Sequence, residues 1–318
     1  MYERGALGRR GWLAFAQDDR GFANAACRRC GRDYAGAMSM KLTLGHSPDP
    51  DDAFMFYALA KHLLPTPGYE FTHILQDIQT LNERAMRAEL DITAISIHAY
   101  AYVLKDYALL RSGASMGDNY GPMLVGQRAF ARDQIADQKI AIPGLMTSAF
   151  LALQLFLGLR KEQLNYIVVP FDEIFGALER GEADLGLIIH EGQLTYAGEG
   201  LVLSADLGQW WFAETGGLPL PLGGNAVKKS LGDARIAELS DILYKSIKYG
   251  LEDRAAGVEH ALPLGRGLDR ALADKFIGMY VNELTLDYGD RGKKAVREFL
   301  DRGYAAGLLP APVALEFV

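Results

Sequence analysis

Asp184-Leu185-Gly186-Leu187-Ile188-Ile189-His190-Glu191-Gly192-Gln193 is the stretch on which the reading of this chain turns. An unbroken apolar run that stops abruptly at an imidazole and a carboxylate reads as a buried strand with chemistry at its tip. Open α/β sheets bind ligands beyond the carboxyl ends of their strands, so His190 is expected to face a cleft. The approach to that tip occurs twice. Arg87-Ala88-Glu89-Leu90-Asp91-Ile92-Thr93-Ala94-Ile95-Ser96-Ile97-His98 aligns without a gap on Arg180-Gly181-Glu182-Ala183-Asp184-Leu185-Gly186-Leu187-Ile188-Ile189-His190-Glu191. A second echo pairs Lys41-Leu42-Thr43-Leu44, followed by Asp52-Ala53-Phe54, with Lys139-Ile140-Ala141-Ile142, followed by Ser148-Ala149-Phe150. Two similar α/β lobes aiming strand ends and helix N-termini at a shared cleft are the economical expectation. A chance likeness between two amphipathic βα segments is the alternative.

A length of 318 residues accommodates two domains of ordinary size. With 49% hydrophobic and 23% charged residues, the composition excludes disordered and fibrous classes. A net charge of -7 argues against a nucleic-acid partner, and no apolar run approaches the roughly 20 residues of a membrane helix. The two cysteines, Cys27 and Cys30, complete neither a disulfide framework nor a zinc site.

Residues 1–39 differ in kind, with seven Arg, no Lys and four acids and no helical or strand periodicity. They read as a flexible or spurious leader, with the functional chain starting at Met38 or Met40. Lys41 to Gly45 is the first strand, and Pro48-Asp49-Pro50-Asp51-Asp52 opens a helix expected over Ala53 to Leu64, with acids where the helix dipole is positive. Asp49, Asp51 and Asp52 read more economically as that helix start than as a metal cluster. Ser96, at the tip of the first buried strand, is either a ligand donor or a loop-satisfying hydroxyl. Met123 to Gly126 is the expected first crossing between lobes. Thr147 and Ser148 form the expected N-cap pair of an apolar helix over Ala149 to Leu159, and the amides beside them suit a carboxylate. Gly216 to Asn225 reads as a return crossing with hinge glycines or as a buried strand between turns. Amphipathic helices are expected over Asp233 to Glu252, Leu268 to Asn282 and Arg291 to Ala306. The resulting partition is a first lobe of 40–126 plus 223–318 and a second of 127–222.

Among the six histidines, His62, His73 and His260 are expected at the surface and His98 behind the site, while His190 is best placed to act as a base. A satisfied structural histidine is the alternative for His190. Ser47-Pro48-Asp49-Pro50-Asp51-Asp52-Ala53-Phe54, Gly186 to Glu191, and Gly217-Leu218-Pro219-Leu220-Pro221-Leu222-Gly223 occur together and in order. In these motifs, and over Met40 to Val318, the chain resembles the 1,4-dihydroxy-6-naphthoate synthase family of the futalosine route to menaquinone. The resemblance implies a two-lobed α/β fold of the periplasmic-binding-protein-like type II class with a ligand cleft between lobes. It also implies cleavage of cyclic dehypoxanthinylfutalosine to 1,4-dihydroxy-6-naphthoate and dihydroxyacetone in the cytoplasm. The family's proton acceptor falls on His190, and its substrate-binding segments fall on Ala94-Ile95-Ser96 and on Thr147-Ser148. The resemblance implies neither a metal nor an organic cofactor, and it assigns no role to Asp49 or Glu191. Chorismate dehydratase of the same pathway, or a solute receptor of the same fold, are the competing readings. The first would not be expected to carry the His190-Glu191 tip, and the second would need a signal peptide or lipobox.

Overall fold

In the computed structural model, which describes residues Ser39–Val318, the two copies of the repeat build the centres of two separate sheets. The leader, with Cys27 and Cys30, lies outside the described residues. The strands are β1 Met40–His46, β2 Tyr69–Leu75, β3 Ile92–Ser96, β4 Tyr107–Leu109, β5 Ser115–Gly117, β6 Met123–Gly126, β7 Ile140–Ile142, β8 Tyr166–Val168, β9 Leu185–Ile188, β10 Val202–Asp206 and β11 Leu220–Lys228. The first sheet runs β2-β1-β3-β11-β4 with β5 also on β11, and the second runs β10-β6-β9-β7-β8.

Laid side by side, β2-β1-β3-β11 and β8-β7-β9-β6 have the same plan. The first three strands of each set are parallel and the fourth is antiparallel. One residue of the repeat shows why the plan recurs. Asp91 accepts hydrogen bonds from the Thr43 amide and hydroxyl (2.9 and 2.8 Å), and Asp184 accepts one from the Lys139 amide (2.9 Å). In each copy the acid preceding the buried strand thus fastens it to its parallel neighbour, satisfying backbone that the sheet ladder leaves open.

Every position of β3 and β9 is buried, as expected of parallel strands covered on both faces. A shared core joins the sheets, with Ile95 and Leu109 from the first and Leu124, Ile140 and Leu185 from the second around Phe150, Trp211 and Phe299. The far face of the first sheet packs Leu42, Leu44 and Val227 on Leu239, Leu243 and Ile247 of the helix Asp233–Glu252, whose bounds match the sequence reading.

Three local expectations differ. The helix after β1 begins at Pro50, because proline's fixed φ suits a first turn and Asp51 and Asp52 follow where the dipole favours acids; it yields at Phe56 to a second short helix, Tyr57–Ala60. Met123–Gly126 is hydrogen-bonded between β9 and β10, so the chain has already entered the second sheet there. The Gly-rich return is a turn at Gly216 and Gly217 (φ 66° and 107°) followed by the nine-residue strand β11 of the first sheet. No described helix is long and apolar enough to cross a membrane.

Candidate active site

Ala94, Ile95 and Ser96 at the tip of β3 and Thr147 and Ser148 at the start of the helix Ser148–Leu157 line one cavity. The five residues that the sequence reading placed at a binding site are therefore brought together, one group from each half of the repeat. Ser47, Asp49, Asp51, Asp52, Ile189, Asn225 and Tyr280 are among the other residues of its wall. A mostly apolar cavity with a few convergent polar groups is the usual form of a small-molecule site.

The polar atoms of the first tip are held by the protein. The Ser96 amide donates to Asn82 Oδ1 and its hydroxyl accepts from Asn82 Nδ2, both at 2.9 Å. Asn82, on the helix Ile78–Met86, is fully buried, so this reciprocal pair fixes the β3 tip against its neighbouring helix. Thr147 caps its helix by accepting from the Phe150 amide (3.2 Å) and donates to the Gly144 carbonyl (2.9 Å). The Ser148 hydroxyl accepts from the His98 amide (3.1 Å) and donates to the Leu222 carbonyl of β11 (2.5 Å), tying the helix start to the first sheet. With both hydroxyls engaged, what this helix start offers an anion is its first amides, which no helix satisfies internally. His98 braces the same turn from behind. Its Nδ1 donates to the Thr147 carbonyl (3.2 Å), and burial pushes its pKa down to about 4, so the ring is neutral.

The second tip is built differently. His190 is 7% exposed, set between the rings of Phe171 and Phe175 with centroids at 5.6 and 5.8 Å. Nδ1 accepts from the Gly192 amide (2.9 Å), while Nε2 is buried without a partner. Gly192 is required here, since a Cβ on it would sit 2.6 Å from the imidazole. Burial holds the imidazole below its ordinary pKa, against the opposing pull of Glu191, Asp49 and the backbone of Phe171, which lies close to the ring but outside good hydrogen-bond geometry with Nε2. Its neighbour Ile189, and not the ring itself, lines the cavity.

Glu191, 4% exposed, is paired with Arg266, which reaches it from the loop before the helix Arg270–Tyr280. Arg266 Nη1 donates to both Glu191 oxygens (2.8 and 2.9 Å), Nη2 donates to Asp49 (2.7 Å), and the guanidinium lies 4.6 Å from the Phe171 ring centroid. One cation thus joins the β1–helix turn to the β9 tip. Asp49 also accepts from the Ser47 hydroxyl, and Asp52 accepts from the Ser47 amide, both at 2.6 Å. The expected helix start is present, but these acids also build the cavity wall. Among the described residues no group of three or more His, Cys, Asp or Glu is placed to hold a metal ion.

Two histidines differ from expectation. His62 is exposed, whereas His73 and His260 are half-buried: His73 meets His46 at 3.1 Å, and His260 packs against Tyr57. Alternation along β2 hid the first, because one face of that strand lies over Phe56. Sequence reasoning missed Arg266, Asn82 and Asn225. Arg266 stands between Gly265 and Gly267 with φ 47°, and a cation flanked by glycines in a short loop is the one signal that pointed there.

Residues 42–305 match the protein family described as "Menaquinone biosynthesis". A 1,4-dihydroxy-6-naphtoate synthase of Streptomyces coelicolor is 37% identical over 281 residues, covering 87% of this chain and 98% of that protein. The enzyme of the same name from Thermus thermophilus is 36% identical over 276 residues, covering 85% and 97%. Among solved structures, a protein from Archaeoglobus fulgidus matches with a TM-score of 0.79 and 40% identity over 84% of this chain and 98% of its own. The alkanesulfonate-binding protein SsuA of Xanthomonas axonopodis pv. citri matches with a TM-score of 0.67 at 16% identity, over 89% of this chain and 100% of its own. That likeness is one of fold alone: two α/β lobes of the periplasmic-binding-protein-like kind.

Proposed function

The chain belongs to the menaquinone-biosynthesis family, and from that premise we propose that it is a 1,4-dihydroxy-6-naphthoate synthase, a carbon-carbon lyase acting on cyclic dehypoxanthinylfutalosine and releasing dihydroxyacetone. The observation that carries this reading is the identity of 36–37% to two synthases of that name over nearly their whole length. The meeting of Ala94–Ser96 with Thr147 and Ser148 on one cavity supports it. In this reading the helix start holds a substrate carboxylate, the β3 tip holds its oxygens, and His190 accepts a proton from a hydroxyl beside the scissile bond. The lobes we propose follow sheet membership, 40–122 with 220–318 and 123–219, and the enzyme works in the cytoplasm without a metal or organic cofactor.

The buried imidazole is kept neutral, which a proton acceptor requires. With the Gly192 amide at Nδ1, its own proton sits on Nε2. Acceptance at Nε2 uses the other tautomer, which gives up the Gly192 amide as a partner and leaves the Glu191 carboxylate, 3.8 Å from Nδ1, as the acceptor the ring must turn toward. Incubating the purified protein with the cyclic substrate and identifying products by mass spectrometry tests the reading. Naphthoate and dihydroxyacetone in equal amounts are expected; binding without turnover would point instead to a receptor.

A further inference from the structure

The chemistry proposed above needs a proton to arrive as well as one to leave, and the His190 ring is not on the cavity wall. Two carboxyls are. Asp51 and Asp52, in the first turn of the helix Pro50–Met55, both line the cavity. They are not equivalent. Asp52 accepts the Ser47 amide at 2.6 Å, which ties it to the turn after β1, whereas Asp51 forms no ion pair and meets no other side chain by hydrogen bond among the described residues, only the backbone amides of its own turn.

The charged and titratable groups around the pair are few. Asp49 and Asp52 flank Asp51 on its own segment, and the Tyr280 phenol faces it from the helix Arg270–Tyr280, its hydroxyl already given to Gln193 (2.6 Å). The cations nearby are spoken for: Arg266 by Asp49 and Glu191, and Arg254 by Asp274 with its guanidinium over Phe54. Both side chains are half-buried; desolvation in the cavity wall, then the neighbouring acids, push Asp51 well above the usual carboxylate range, and desolvation pushes Asp52 up to about 7. A neighbouring like charge disfavours the ionised form, so a carboxyl raised in this way keeps its proton where isolated carboxyls have lost theirs. The same cavity carries an independent mark of a ligand site. Asn225 of β11, 1% exposed, lines it with Nδ2 unpartnered, a donor that a substrate oxygen would satisfy.

We propose that Asp51 is the catalytic proton donor of this site, holding a proton against the substrate oxygen that becomes electron-rich as the carbon-carbon bond breaks. The assignment rests on the synthase reading. In the step it serves, the substrate O–H bond breaks and its proton passes to His190. That oxygen forms a carbonyl as the adjacent carbon-carbon bond breaks, and the bond's electron pair moves into a conjugated carbonyl, whose oxygen takes the proton of Asp51. One proton leaves the substrate and one arrives, and no oxidant or reductant is consumed. The site then holds imidazolium and carboxylate, which exchange a proton with water before the next turnover.

The test combines variants with a titration of the untouched protein. Asp51→Asn, which keeps the side-chain shape, should lower kcat roughly 10²-fold to 10⁴-fold with KM within a few-fold, and should abolish the fall in kcat on the alkaline side of the wild-type profile. Asp51→Glu should restore part of the rate and that alkaline limb. In ligand-free wild type, carbon-13 NMR of aspartate carboxyls should show one of the pair still protonated at a pH where ordinary carboxyls are ionised. Asp51→Asn with wild-type kcat and an unchanged limb overturns the assignment, as does a titration in which both carboxyls ionise in the ordinary range. Wild-type protein that makes no naphthoate overturns the synthase reading and this assignment with it; an active wild type beside a fully active Asp51→Asn overturns this assignment alone.

Discussion

The two strand tips of the repeat share a backbone plan and have been given opposite polar surroundings. At the first, the polar side chains the tip itself carries are held by the protein: Ser96 by Asn82, His98 by the Thr147 carbonyl, Ser148 by β11. At the second, His190 keeps a buried nitrogen without a partner, and Glu191 depends on one cation borrowed from a distant loop. A tip whose hydrogen bonds are complete is rigid and suits binding, while an unsatisfied buried nitrogen is costly unless a ligand or a reaction uses it. On the function proposed above, one copy of the duplicated element serves as a clamp and the other for chemistry.

The sharpest way to break that contrast is to truncate each imidazole. His190→Ala is expected to lose roughly 10²-fold to 10⁴-fold in kcat with the fold intact. His98→Ala removes only the brace behind Thr147, so it should act mainly on KM, by roughly 1 kcal/mol or several-fold, with kcat little changed. Steady-state kinetics on both variants decide this, and equal losses in kcat would erase the distinction. Next in size is Arg266→Met. Glu191, almost fully buried, loses its counter-charge, and because Arg266 is itself partly exposed the stability cost is set at about 1–3 kcal/mol, read by urea unfolding. Asn82→Ala leaves the buried Ser96 amide without its acceptor. About 1–3 kcal/mol of stability should go, together with a higher KM. Loss of kcat alone would show that the first tip also takes part in the chemistry.

How much of this was legible in the chain varies with the range of the interaction. The buried runs Ile92–Ser96 and Leu185–Ile188 and the acids before them carried their own periodicity, and the two-sheet plan follows from that repetition. Thr147 and Ser148 announced a helix start for the same local reason. The partnerships that distinguish the tips are long-range and leave no periodic trace. Arg266 stands 75 residues from Glu191, and Asn82 stands 14 from Ser96. The three acids around Pro50 read as a helix start because capping is local. That Asp51 also faces the cavity depends on how the helix packs, which spacing cannot encode.

The last expected effect concerns pH. Asp52 has a folded pKa raised to about 7, above its unfolded value of about 4. As pH rises through that window the unfolded chain releases a proton that the folded protein retains, so the wild type loses stability between about pH 4 and pH 7. Asp52→Asn cannot titrate. Its stability relative to the wild type should therefore improve steadily across that window, whatever constant offset comes from weakening the Ser47 contact. Unfolding curves at several pH values that run parallel for the two proteins would contradict the raised pKa.

The claim that the second tip does the chemistry is tested most directly by the pH dependence of kcat/KM on the cyclic substrate, for the wild type and His190→Ala. A base must be neutral to act, and burial lowers the pKa of this imidazole, so the wild-type rate should climb along an ascending limb centred below the ordinary imidazole value of about 6.5. In His190→Ala that limb should be absent and the residual rate flat across the same range. An alanine variant that keeps both the limb and the wild-type rate would show that the proton is taken elsewhere.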